Sequence, residues 1–319
     1  MALLKEVTTL ASVAMPIGES WSVRRCRYGS GDGAPGRLCI ATGIHGDEMM
    51  GQLIVYLVAQ RIMSQSEHLH GTVDIYPMLN PLGLDIGERL VPSSTRLDMN
   101  RAFPGNEEGT ALESMCHHIM NDMLGADLVL DIHSSTLQKS ELYEVRLNAA
   151  SAQMMLPHAR SLCPDLIWIY PDKPIYNAML TSALCQAGTP ALVLETDERR
   201  RHPQDATAKI VDGIFCKMKE MGLWTGETIS PEASDIPVIR GAENMCRIAC
   251  SCPGVYVPQD RTGEAVREGD VLGLVIDALT GETMQVISAP TDGLIFSQRG
   301  YSAVYPGTLI ARLYRKERA

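Results

Sequence analysis

Residues 37–43, Arg-Leu-Cys-Ile-Ala-Thr-Gly, have the composition of a buried β-strand that ends in a glycine turn. Apolar residues then recur at helical spacing, at Leu53, Ile54, Leu57, Val58 and Ile62. The two patterns together predict a strand that is followed by a helix.

The same alternation continues along the chain. Further strands are predicted at Thr72–Met78, Ala126–Ile132 and Pro190–Glu195. Helices are predicted at Thr110–Leu124, Ala178–Ala187 and Lys209–Met221, and a long loop rich in Gly, Pro and Ser is predicted from Asn80 to Gly109. Near-continuous apolar strands that alternate with helices indicate an α/β fold, in which helices flank both faces of a mainly parallel sheet.

The last third of the sequence has a different pattern. Residues 225–237 are polar, contain Gly and Pro, and are predicted to form a linker. Short β-like runs separated by turns follow at Gly254–Val257, Val271–Ile276, Met284–Ile287, Leu294–Phe296 and Leu309–Leu313. We therefore predict two domains: an α/β domain at residues 1–224, and a linker with a small all-β domain at residues 225–319.

Composition excludes several classes of partner. The 319 residues carry a formal net charge of −10, whereas nucleic acids and anionic membranes need a basic surface. No apolar run has the length of a membrane span or a signal peptide, so we expect a cytoplasmic protein. The nine cysteines include no C-x-x-C pair, which argues against a disulfide framework and a thiolate zinc site. The sequence leaves homo-oligomerisation open.

Polar residues follow four of the predicted strands, at His45, Asn80, His133 and Glu195. Ligands of open α/β sheets bind at the carboxyl ends of the strands. His45 and Glu48 are three residues apart in a glycine-containing turn, so one rigid element can offer two metal ligands. His133 is the candidate third ligand, which leaves one coordination position of a catalytic zinc open.

Two further groups fit a hydrolytic site. Glu195 ends an apolar strand, where its carboxylate can act as a general base towards zinc-activated water. Asn100 and Arg101 lie in the long loop, and the planar guanidinium of an arginine pairs well with a substrate carboxylate.

Five motifs occur in a fixed order: G-x-H-G-D-E at residues 43–48, N-P-x-G at 80–83, D-x-N-R-x-F-P-G at 98–105, D-x-H-S at 131–134, and the strand-terminal Glu195. This order resembles the succinylglutamate desuccinylase/aspartoacylase family, a branch of the zinc carboxypeptidase superfamily. The resemblance covers residues 37–195, and the β-rich tail looks like that family's C-terminal domain. It implies a zinc-carboxypeptidase-like mixed sheet.

The resemblance also implies a role for each matching residue. His45, Glu48 and His133 match the ligands of one zinc ion per chain, and Glu195 matches the catalytic base. Asn100 and Arg101 match the pair that binds the carboxylate of the substrate. Asp98 matches a carboxylate that orients the first zinc histidine. Arg89 matches the arginine that polarises the scissile carbonyl, with Arg96 as the competing candidate. The residues that contact the acyl group lie in variable loops and have no matching positions here; Tyr170 and Tyr176 are candidates, although packing is the favoured interpretation of both.

The expected activity is zinc-dependent hydrolysis of the amide bond in a small N-acyl amino acid. A zinc peptidase that acts on a short or modified peptide is the first alternative, and closure of the site by the C-terminal domain would favour the deacylase. A non-catalytic binding protein on the same fold is the second alternative. The C-terminal segment also resembles biotinyl and lipoyl domains, but its central turn, residues 277–282, has no lysine to modify.

Overall fold

The computed structural model describes residues 3–15, 18–29, 36–92, 96–135, 139–197, 203–229, 236–240 and 244–315. Its helices are α1 Met50–Ser64, α2 Pro81–Ile86, α3 Ala111–Met123, α4 Ala152–Ser161, α5 Leu180–Gln186 and α6 Pro203–Glu220. Its first ten strands are β1 Leu4–Ala14, β2 Ser20–Gly29, β3 Arg37–Thr42, β4 Thr72–Tyr76, β5 Leu128–Ser134, β6 Lys139–Glu141, β7 Glu144–Asn148, β8 Leu166–Tyr170, β9 Ala191–Thr196 and β10 Val238–Arg240. The remaining strands are β11 Met245–Ala249, β12 Gly254–Pro258, β13 Ala265–Val266, β14 Val271–Ile276, β15 Thr283–Ser288, β16 Gly293–Arg299, β17 Ser302–Val304 and β18 Leu309–Tyr314.

Nine strands form one mixed sheet in the order β1-β2-β4-β3-β5-β9-β7-β8-β10. The central strands β4, β3, β5 and β9 are parallel, whereas the β1–β2 hairpin and the β7–β9 pair are antiparallel. The predicted α/β fold with a mainly parallel, mixed sheet is therefore confirmed. The N-terminal hairpin is an addition that the apolar strand pattern did not predict.

Two apolar clusters cover the two faces of this sheet, because successive side chains of a strand point in opposite directions. On β3, Leu38 and Ile40 pack with α1, α4 and α6, whereas Cys39 and Ala41 pack with α3 and α5. All six residues of β9 and all seven of β5 are buried. The carboxyl ends of these central strands are held rigidly by the core on both sides.

The segment predicted as one long loop contains regular structure. Asn80 caps α2 by accepting a hydrogen bond from the backbone N–H of Gly83, and Met99–Arg101 form a 3₁₀ turn. The prediction of an irregular loop from Asn80 to Gly109 is wrong in this respect. A proline after a capping asparagine starts a short helix.

The C-terminal residues form two small antiparallel sheets around a separate apolar core. All five predicted β runs are strands, namely β12, β14, β15, β16 and β18. Strands exchange across the predicted boundary, because β10 pairs with β8 in the large sheet and β6 pairs with β16 in the small one. The boundary at residue 225 stays a prediction, and linker residues 230–235 lie outside the described residues.

Candidate active site

His45, Glu48 and His133 converge at the carboxyl ends of β3 and β5. Each offers one ligand atom, and the ligand atoms lie within 4.8 Å of one another. The Nδ1 atoms of His45 and His133 are 3.2 Å apart, and they lie 2.7 and 2.8 Å from the two oxygens of Glu48. All three side chains are buried.

The outer nitrogens of both imidazoles are held by carboxylates. Nε2 of His45 lies 3.1 Å from Asp98, and Nε2 of His133 lies 3.0 Å from Asp131. A carboxylate on Nε2 fixes the proton there, so that the lone pair of each Nδ1 faces Glu48. Two lone pairs and a carboxylate that face one another need a cation between them. Two nitrogens bound tetrahedrally to one zinc ion would be about 3.3 Å apart, which fits the 3.2 Å observed.

The negative charges around the two histidines attract a cation, which can be a proton or a metal ion. Burial alone would lower the pKa of His133, but the charges of Asp131 and Glu48 outweigh it and raise that pKa well above its usual value. Burial likewise opposes ionisation of Glu48, yet the charge of His133 and the hydrogen bonds from both imidazoles lower the pKa of Glu48. The cluster thus stabilises a carboxylate beside positive charge.

The turn that carries His45 and Glu48 depends on close backbone packing. A Cβ atom on Gly46 would lie 2.0 Å from the carbonyl carbon of Gly83. The Gly46 N–H donates to the carbonyl oxygen of Glu88 at 3.1 Å. The N-P-x-G segment therefore supports the ligand turn. Asn80 serves as its helix cap and is not among the described residues that line the cavity.

A cavity of about 520 Å³ opens beside the ligand group. Its walls include Arg89, Asn100, Arg101 and Glu195 from the α/β part of the chain. Met245, Arg247 and Arg312 line it from the C-terminal strands β11 and β18. Tyr170 and Tyr176 also line it, with ring centroids 5.0 Å apart.

The structure separates the two competing arginines. Arg89 lines the cavity, donates to Glu48 at 3.0 Å and lies 3.5 Å from Asp98. Arg96 pairs with Glu88 at the surface, and 62% of its side chain is exposed. Asp98 therefore contacts both His45 and Arg89.

Asn100 and Arg101 lie side by side on the cavity wall. The side-chain oxygen of Asn100 accepts a hydrogen bond from the backbone of Leu180 at 2.9 Å, which fixes the amide plane. Arg101 donates from Nη1 to the backbone oxygen of Asn100 at 2.5 Å. Within the described residues, Nε and Nη2 of Arg101 have no hydrogen-bond partner, and the residue is exposed at the cavity wall.

Glu195 is the β9 residue paired with His133 in the parallel β5–β9 register, so both side chains leave the same face of the sheet. Arg146, on the neighbouring strand β7, donates to Oε1 of Glu195 at 2.6 Å. The sequence patterns did not single out Arg146, Arg247 or Arg312. The alternating residues Glu144-Val145-Arg146-Leu147 were the one available signal, since they predict a strand with one polar face.

The chain was compared with models of known protein families. The model of the succinylglutamate desuccinylase/aspartoacylase catalytic domain matches residues 35–219. The chain belongs to the succinylglutamate desuccinylase/aspartoacylase family. The match confirms the predicted membership. The members of this family are hydrolases. A search of the curated proteins finds no match.

Solved structures show the same fold at low sequence identity. A succinylglutamate desuccinylase/aspartoacylase from Rhodobacter sphaeroides is 20% identical, with a TM-score of 0.79 over 99% of this chain and 96% of that one. The product-bound ectoine utilization protein EutE (DoeB) from Ruegeria pomeroyi is 19% identical, with a TM-score of 0.81 over 98% and 95%. A metallo-carboxypeptidase from Burkholderia cenocepacia is 14% identical, with a TM-score of 0.55 over 68% and 64%. No described helix is long and apolar enough to cross a membrane.

Proposed function

We propose that this protein hydrolyses the amide bond of a small N-acyl amino acid that carries a free carboxylate, at one zinc ion per chain. The observation that carries the proposal is the convergence of His45, Glu48 and His133 beside Glu195 and Arg101 in one cavity. Membership in a family of desuccinylases and aspartoacylases supports the same reaction class.

The charge of the cavity supports an anionic substrate. Of the described residues, seven cationic side chains line it against three carboxylates, although the whole chain has a net charge of −10. Among the described residues, Arg101, Lys173 and Arg247 have no carboxylate within ion-pair distance. Such local concentration of positive charge attracts anions and raises their rate of association.

In the proposed mechanism, zinc bound at this site would supply a Lewis acid for the amide carbonyl and would make water more acidic at neutral pH. His45, Glu48 and His133 would hold it, while Asp98 and Asp131 keep both imidazoles in the required orientation. Glu195 accepts the proton of the attacking water on Oε2 and delivers it to the departing nitrogen. Arg89 stabilises the negative charge that develops on the carbonyl oxygen. Asn100 and Arg101 bind the substrate carboxylate and thereby fix the position of the amide.

A zinc peptidase is the second candidate, and the shared fold with a metallo-carboxypeptidase favours it. The C-terminal strands argue for the deacylase, because Met245, Arg247 and Arg312 wall the cavity where a peptidase needs an open groove. A non-catalytic binding protein would have no use for Glu195 beside the ligand group.

The test is the zinc-loaded protein with a panel of N-acetyl, N-succinyl and N-formyl amino acids, beside dipeptides, with release of the free amine as the readout. We expect turnover of at least one acyl class at a kcat/KM well above that for every dipeptide. Faster cleavage of dipeptides would favour the peptidase. Turnover of no compound in the panel would refute the proposed deacylase.

A further inference from the structure

Arg146 contacts three carboxylates at once. Its Nη1 donates to Oε1 of Glu195 at 2.6 Å, its Nε donates to Glu144 at 2.6 Å, and its Nη2 lies 3.2 Å from Glu141. Glu141 and Glu144 are fully buried, and only 20% of the Arg146 side chain is exposed. The Arg146 guanidinium therefore binds Glu141, Glu144 and Glu195 together, and we call this arrangement the clamp.

An aromatic ring completes the clamp. The guanidinium carbon of Arg146 lies 5.1 Å from the centre of the Trp168 ring, within the range of a cation–π interaction. Arg312, from β18 in the C-terminal sheet, lies 5.1 Å from the same ring. The two arginines of different sheets thus share one aromatic partner.

The two carboxylate oxygens of Glu195 have different surroundings. Oε1 accepts from Arg146, whereas Oε2 has no hydrogen-bond partner among the described residues. A free glutamate would sample several rotamers, and a general base is effective only when its oxygen is within hydrogen-bond reach of the proton. We propose that Arg146 is a positioning residue, which holds one oxygen of Glu195 so that the other is aimed at the reacting water.

The same contacts connect the base with the C-terminal sheet. Glu141 lies on β6, which pairs with β16, and it also receives Arg312 at 3.4 Å and the side chain of Lys139. The chain of contacts therefore runs from Glu195 through Arg146 and Glu141 to Arg312. The C-terminal sheet sets the position of the catalytic base through this chain, in addition to walling the cavity. This inference rests on the proposed role of Glu195.

Arg146→Lys tests the clamp, since lysine keeps the charge but lacks the fork that bridges several carboxylates. We expect kcat to fall roughly 10- to 100-fold, with KM changed by less than about threefold and zinc content retained. Arg37→Lys is the matched control, because Arg37 has a similarly exposed side chain, binds Asp74, and lies at the start of β3 and not among the described residues that line the cavity. It should lower the melting temperature and leave kcat within about twofold of the wild type.

A double-mutant cycle tests the connection to the C-terminal sheet. Arg312→Met should lower kcat in the wild type and should lower it much less in Arg146→Lys, because both substitutions break the same chain. Independent, multiplicative losses would refute the connection. An unchanged kcat in Arg146→Lys would refute the positioning role.

Crystals of zinc-loaded Arg146→Lys separate this inference from the proposed function. The Glu195 carboxylate must leave its wild-type position if Arg146 holds it there. If it stays in place, the inference is wrong, whether or not any substrate is hydrolysed. A wild type that turns over no compound in the panel would instead refute the proposed function.

Discussion

The Nδ1 atoms of His45 and His133 face each other at 3.2 Å, and each also faces a different oxygen of Glu48. The two histidines come from turns and strands that are 88 residues apart in sequence. Their approach is possible because β3 and β5 are adjacent parallel strands that end at the same edge. The pairing of β3 with β5 therefore brings the two histidines together at the carboxylate of Glu48.

Asp98 and Asp131 hold the outer nitrogens of these histidines, so we expect both to support metal binding. Asp98→Asn and Asp131→Asn should each weaken zinc affinity about 10- to 100-fold, because an amide cannot strengthen the ligand as a carboxylate does. Competition with a fluorescent chelator measures the dissociation constant. Asp85→Asn, at an exposed site, is the control. Affinity equal to the wild type in both variants would contradict the supporting role.

The grouping of His45, Glu48 and His133 could be predicted from the sequence. Each of these residues has a metal-binding side chain and also lies at a position where parallel strands end. His45, Glu48 and His133 follow apolar strands or glycine turns, where a polar side chain is conspicuous. Arg146 and Arg312 lie within strands, where an arginine is ordinarily a solvent-facing residue. Which face of a strand becomes a cavity depends on how the C-terminal sheet packs, and no local pattern contains that information.

The assignment of Arg89 can be tested against Arg96. Arg89→Met should lower kcat roughly 10²- to 10³-fold, because the developing charge on the carbonyl oxygen loses its donor. Arg96→Met, which removes only a surface ion pair, should stay within about twofold of the wild type. Steady-state kinetics, with zinc content measured in parallel, decide between them. A large loss in Arg96→Met and none in Arg89→Met would reverse the assignment.

Arg101 tests the claim that the substrate is an anion. Arg101→Lys keeps the charge but removes the planar fork, so we expect KM to rise and kcat to fall. An amidated substrate should be poor for the wild type and no worse for Arg101→Ala. Kinetics on the acid and amide forms with both enzymes provide the comparison. Equal losses on the two forms would mean that Arg101 supports the loop instead of binding the carboxylate.

Glu195→Gln separates chemistry from metal binding. The amide keeps the shape of the side chain and loses the base, so turnover should fall roughly 10²-fold or more while zinc stays bound. Glu67→Gln, at a carboxylate whose side chain is 70% exposed, should have wild-type kcat. A zinc-loaded Glu195→Gln variant with near-normal kcat would show that another group is the base.

The most direct test of the metal centre is the rate of amine release measured against bound zinc, as zinc is returned to chelator-treated protein. The rate should rise in proportion to bound zinc and stop rising at one ion per chain. His45→Ala and His133→Ala should bind no zinc at this site and show no turnover, whereas His117→Ala, on α3 away from the cavity, should behave as the wild type. Full turnover by the metal-free protein, or undiminished zinc in both ligand variants, would contradict the account.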